Sequence, residues 1–136
     1  MWITHQADYA LRALIFLAGF APGERAATSE IADQTRIPPS FLAKIVSQLS
    51  VSGLIQTSRG AKGGVSLARP ADEISVLEVI QAVDGPIHLT ECTRSQRDCP
   101  FCPDCPGYKV FSEAESKVND ILGKATLASL VPSQPA

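Results

Sequence analysis

The sequence predicts a mainly α-helical fold with a small β-hairpin wing: a winged helix-turn-helix followed by a long C-terminal helix. Three observations carry the prediction. Three segments with apolar residues at helical spacing open the chain. Two short alternating runs around a glycine-rich tip come next. Helical patterning then resumes after Ser75 and again from about Tyr108.

The first helix is expected over Ala7 to Phe20, where Ala10, Leu11, Leu14, Ile15, Leu17 and Ala18 form one broad apolar face. The run Ala21–Ala26 (APGERA) reads as a turn. Thr28 or Ser29 offers an N-cap for a short second helix through Glu30, Ile31, Ala32 and Gln34, which Ile37-Pro38-Pro39 interrupts. A third helix starts near Pro39 or Ser40, since proline suits a first turn. Phe41, Leu42, Ile45, Val46 and Leu49 give its apolar face, and Gly53 is placed to end it in a left-handed conformation. Leu54–Ser58 and Val65–Arg69 alternate about the tip Arg59–Gly64 (RGAKGG), which predicts a β-hairpin with a basic tip.

Ser75 and Glu78 match a capping box before an apolar helix through Val83, and Gly85-Pro86 stops it. A long helix is expected from about Tyr108 to Gly123, with Val110, Val118, Ile121 and Leu122 among its apolar residues. Thr126 can cap a short final helix, TLASLV. These signals divide the chain into a winged helix-turn-helix over 1–84, a cysteine loop over 85–107, a helix and C-terminal segment over 108–131, and a disordered tail over 132–136.

At 136 residues the chain has room for one compact domain with an added arm. No apolar run approaches the ~20 residues of a membrane span. The first twenty residues lack a basic leader, which argues against a signal peptide and for a cytosolic protein. The net charge of −2 is segregated: residues 1–70 hold seven Lys/Arg and four Asp/Glu, residues 71–136 five and ten. No acidic residue falls between Gln34 and Ala71, where Arg36, Lys44, Arg59, Lys62 and Arg69 lie. Such an excess is ordinarily a solvated face. It gains meaning on a helix-turn-helix, whose second helix enters the major groove of double-stranded DNA by its early residues. Ser40 can donate to a phosphate or base edge there, Phe41 lies beside it, and Lys44 can neutralise phosphate. At the wing, Arg59 and Lys62 supply charge and Gly60 allows close backbone approach.

The four cysteines, Cys92, Cys99, Cys102 and Cys105, lie within fourteen residues, and each of the last three precedes a proline. Reduced thiols so clustered favour a metal over a disulfide. Thiolate-rich sites select zinc, copper(I) or iron–sulfur. The overlapping C-x-x-C-x-x-C ending in Cys-Pro is closer to a ferredoxin cluster run than to the separate pairs of a zinc ribbon, so an iron–sulfur cluster of two or four irons is favoured and zinc is the alternative. His5 and His88 stand apart from cysteine and read as surface or satisfied polar residues. Trp2 reads as an anchor for the first helix. Beyond the thiols, no nucleophile–base or carboxylate pair suggests an enzyme or a small-molecule substrate. A zinc-stapled winged helix with no sensing role, or a small electron carrier, are the rival readings.

Assembled, these residues resemble the winged-helix regulators that include IscR, NsrR and RirA. The similarity runs collinearly through ADYALRAL, through IPPSFLAKIVSQLSVSGLIQTSRGAKGGVSLAR, through ISVLEVIQAVDGP and through TLASLV. The resemblance implies a dimeric transcription factor, expected to be a repressor, that pairs through the long C-terminal helix and reads a palindromic operator. It further implies a cluster that senses iron, nitric oxide or redox state and sets operator affinity. It implies Cys92, Cys99 and Cys105 as ligands, and Ser40, Phe41, Lys44 and Arg59 as DNA contacts. IscR-like members use a histidine after the third cysteine, where this chain reads Pro106-Gly107-Tyr108-Lys109. NsrR-like members use an aspartate supplied across the dimer, and Asp8 stands at the matching place. Cys102 is an additional thiol, so the fourth ligand is Asp8 or Cys102. Asp8 also has a simpler role, favouring the positive end of its helix dipole by ~0.3–1 kcal/mol.

Overall fold

The computed structural model describes residues 3–95, 100–101 and 104–132. Trp2, Cys99, Cys102 and the tail from residue 133 lie outside the described residues. The chain order is α1 (His5–Ala18), α2 (Thr28–Thr35), α3 (Pro39–Val51), β1 (Ile55–Ser58), β2 (Gly64–Leu67), a 3-10 turn (Ala71–Glu73), α4 (Val76–Asp84), α5 (Glu91–Arg94), α6 (Pro106–Lys124) and α7 (Leu127–Leu130).

Helix α1 begins two residues earlier than its periodicity suggests, because Thr4 caps it. The Thr4 hydroxyl accepts the Ala7 N–H at 3.1 Å and donates to Asp84, whose other carboxylate oxygen takes the Thr4 N–H at 3.1 Å. That cap joins the first turn of α1 to the last residue of α4. Ala10, Leu14 and Leu17 of α1 are buried against Ile31, Leu42, Ile45 and Leu49, so α1 runs through the centre of the core.

Neither Thr28 nor Ser29 caps α2. The helix already includes Thr28, the cap is Ala27, and no side chain accepts there. The cause lies in the wing. Ala26 exchanges both backbone hydrogen bonds with Val65, at 2.9 and 2.8 Å, and this fixes where the chain can turn into the helix. Helix α3 starts at Pro39 as expected, and Gly53 follows it at φ 76°.

In the wing, Ile55 pairs with Leu67, Gln56 with Ser66, Thr57 with Val65 and Ser58 with Gly64. The ladder is shorter than the alternation implied. Two tip glycines are sterically required: a Cβ at Gly63 would sit 2.3 Å from the Ser58 oxygen, and one at Gly64 2.7 Å from the Ala26 oxygen.

The Ser75–Glu78 capping box forms on α4, and Gly85 ends the helix at φ 82°. Helix α6 extends from Pro106 to Lys124 and buries none of its residues fully. Val118 and Leu122 pack on a small second cluster, Val76, Ile80 and Ile87, while Val110, Phe111 and Ile121 remain open at 64%, 44% and 68% exposure. Thr126 caps α7 through a box with Ser129. Leu127 then enters the principal core fully buried, its N–H bonded to Ile74 O at 3.0 Å. The chain thus leaves the winged unit along α6 and returns to it through α7.

Candidate nucleic-acid interface and thiol site

Ser40, Phe41 and Lys44 are all exposed on the first turns of α3. Phe41, expected on the apolar face of this helix, is 46% exposed, with its ring edge-to-face with Tyr9 at a centroid distance of 6.1 Å. An aromatic ring left open at the start of a recognition helix can contact a thymine methyl or a sugar. Arg59, Gly60 and Lys62 are exposed at the wing tip. Among the described residues Lys44, Arg59 and Lys62 make no ion pair, so their charge is available to phosphate.

Two other cations of the acid-free stretch are placed differently. Arg69 holds both carboxylate oxygens of Glu78, at 2.8 and 2.9 Å, across the gap from the wing to α4. It is a structural partner, and the count of local charge could not separate it from the free cations. Burial pushes the Glu78 carboxyl up, but the Arg69 hydrogen bond, the Ser75 N–H and the Arg69 charge outweigh it and hold the group below the usual carboxylate range. Arg36 forms the left-handed C-cap of α2.

The thiol segment is partly helical. Cys92 lies on α5, a single turn started by a box between Thr90 and Thr93. Thr93 stands where the sequence signature of a capping box has Glu or Gln, so the turn was not legible. Cys92 Sγ lies 2.9 Å from the Thr90 hydroxyl. Cys105 is the N-cap of α6 and offers no side-chain cap bond. Both are free thiols, half-buried, one on α5 and one at the start of α6, and the two helices are in contact. Two soft, accessible thiols that flank a further pair in sequence suit a thiolate-bound iron–sulfur cluster or zinc by donor chemistry. Among the described residues no three His, Cys, Asp or Glu side chains converge as a metal site.

Asp8 sits in the first turn of α1, paired with Arg12 at 3.1 Å. Arg12 also donates to Thr35 O at 3.2 Å, at the end of α2, and lies 5.3 Å from the centroid of Tyr9. One side chain therefore joins Asp8 to the turn that leads into α3 and to the ring against Phe41. Sequence reasoning missed Arg12, although its i, i+4 spacing from Asp8 was a visible signal. His88 is satisfied as expected, its Nδ1 2.8 Å from Glu115 of α6. Its partner was not foreseeable at that separation.

The sequence matches the Rrf2 family, described as iron-dependent transcriptional regulators, over residues 3–133. It is 33% identical to the HTH-type transcriptional regulator NsrR of Bacillus subtilis across 98% of this chain and 92% of that protein. The NsrR of Bacillus licheniformis is equally similar, 33% identical across 98% and 94%. Among solved structures, CymR, the global cysteine regulator of B. subtilis, superposes with a TM-score of 0.83 at 24% identity, covering 96% of each chain. An IscR from T. potens superposes with a TM-score of 0.74 at 20% identity, covering 99% and 94%. The fold is the winged helix of these regulators, and no described helix is long and apolar enough to cross a membrane. The chain belongs to the Rrf2 family of DNA-binding transcriptional regulators and, like its relatives, is a regulator rather than an enzyme.

Proposed function

We propose that this protein binds operator DNA as a homodimer and that an iron–sulfur cluster sets its operator affinity. Residues 1–84 would contact DNA, residues 85–107 would hold the cluster, and α6 would pair with a second copy. The open apolar residues Val110, Phe111 and Ile121 on α6 support the pairing. Ser40, Phe41 and Lys44 would enter the major groove, with Arg59, Gly60 and Lys62 on the adjacent backbone or minor groove.

The observation that carries the sensing reading is the pair of free thiols, Cys92 and Cys105, at contacting helices on either side of the remaining cysteines. Cys92, Cys99 and Cys105 would be ligands, with Asp8 or Cys102 in the fourth place. A bound cluster supplies redox and nitric-oxide reactivity. The protein supplies the link to DNA. If Asp8 is drawn toward a cluster, Arg12 loses its carboxylate partner and keeps only Thr35 O and the Tyr9 face, so the entry to α3 changes its restraint. A coupling of ~1–3 kcal/mol changes affinity about 5- to 150-fold.

The test is anaerobic purification with spectroscopy and iron and sulfide analysis, followed by operator titration of holo and apo protein at fixed salt. Visible absorbance with stoichiometric sulfide, and unequal affinities, are expected. Colourless protein carrying zinc would replace sensing by a structural metal, and equal affinities would remove the switch. Cluster loss in Asp8→Ala but not Cys102→Ala, or the reverse, names the fourth ligand. Failure to bind any DNA would overturn the operator-binding reading.

A further inference from the structure

Arg36 is the one non-glycine residue at positive φ among the described residues, at φ 58° and ψ 35°. Its N–H caps α2 on Ala32 O, a position that glycine or asparagine fills with less strain. An unfavourable backbone at a residue with a long cationic side chain points to a use for that side chain.

Arg36 lines a groove of about 540 Å³, bounded by the last turns of α1, the turn leading into α3 and the residues after α7. Phe16 and Phe20 also line it, edge to face with centroids 5.0 Å apart and both only half-buried, and Ile15 and Val131 extend the apolar lining. Arg12 and Arg36 are its two charged residues, and no acidic side chain lines it. Arg12 is engaged by Asp8 and Thr35 O. Arg36 makes no ion pair among the described residues.

We propose that this groove binds a small organic anion, a carboxylate carrying an aromatic or branched apolar body. Arg36 would take the carboxylate as a two-pronged donor, and Phe16 and Phe20 would hold the apolar body. A DNA phosphate would satisfy the arginine and leave the aromatic residues unused. A purely apolar ligand would have no need of the arginine. The consequence is regulatory: Arg36 lies three residues before Pro39, where α3 begins, so an occupant restrains the turn that sets the recognition helix. That consequence rests on the operator-binding reading, whereas the binding itself does not.

The experiment titrates the full chain without DNA, by calorimetry and by amide chemical shifts, using phenylacetate as the probe. Acetate and 2-phenylethanol are the half-ligand controls. Phenylacetate is expected to saturate, with each control at least about tenfold weaker, a difference of about 1.4 kcal/mol. Arg36→Asn keeps a residue tolerant of left-handed backbone and should weaken phenylacetate at least about tenfold. Gly19→Leu leaves both arginines in place. A Cβ there meets only Phe16 O at 3.4 Å and Val131 Cγ1 at 3.8 Å, so the larger side chain enters the groove and should also abolish binding. Unchanged melting curves show that both variants are folded. Absence of saturable binding, or equal affinity in wild type and both variants, overturns the proposal. So does an Arg36→Asn protein that loses DNA affinity when the wild type binds no phenylacetate, because the arginine then serves phosphate. Phenylacetate binding by a protein without operator affinity would support the site and remove only its transcriptional consequence.

Discussion

Glu78 serves two neighbours, and its replacement separates structural charge from DNA-binding charge. The carboxylate accepts two bonds from Arg69, at 2.8 and 2.9 Å, and the Ser75 N–H at 3.1 Å. Both side chains of the ion pair are about two-fifths exposed, at 40% and 41%, so solvent screens the pair and its worth is ~0.2–1 kcal/mol. The reciprocal half of the capping box contributes about 0.5–1 kcal/mol. Glu78→Ala should therefore cost about 1–2 kcal/mol, whereas Glu78→Gln keeps a neutral acceptor for Ser75 and should cost less. For 136 residues the unfolding entropy is about 290 cal/mol/K, so Glu78→Ala should lower Tm by about 3–7 °C. The pH dependence has a definite sign. The folded carboxyl titrates below its unfolded value, so its contribution is present above the ordinary glutamate pKa and is lost as pH falls through the lower folded pKa. The gap between wild type and Glu78→Gln, followed by thermal melts from pH 7 to pH 3, should narrow at the acid end. A gap independent of pH would refute the electrostatic part of the reasoning. Arg69→Gln should lower Tm slightly and leave operator affinity unchanged. A fall of ~0.9 in its log–log salt slope would show that Arg69 contacts phosphate instead.

Two further outcomes are expected. Leu127→Ala, at a fully buried position of α7, should cost about 2–5 kcal/mol, because the cavity opens inside the principal core. Urea melts check this, and a loss below about 1 kcal/mol would mean that α7 is not integral to the winged unit. Arg59→Gln should weaken binding to operator and to unrelated duplex alike and reduce the salt slope by ~0.9, measured by fluorescence anisotropy over a salt series.

Local chemistry made much of the chain legible before its fold. The capping box at Ser75 and Glu78, proline at the start of α3 and glycine after it each act within one helical turn, so residue type and spacing suffice to identify them. The hairpin tip was equally readable, since Gly63 and Gly64 stand where no side chain fits. The α5 turn was not, because Thr90 and Thr93 close it without the usual acidic partner. The absent cap of α2 was not either, because the Ala26–Val65 bridge decides it from nearly forty residues away.

The sequence by itself determined the order of the elements apart from α5 and the 3-10 turn, the clustering of thiols and the acid-free stretch that suits a DNA-facing surface. Only the tertiary structure sorted the charges within that stretch. It tied Arg69 to Glu78, left Lys44, Arg59 and Lys62 exposed, and joined Asp8 through Arg12 to the turn before α3. The physical reason is range. Propensity and capping act over three or four neighbours along the chain. An ion pair or a buried leucine acts between groups that only the completed fold brings together.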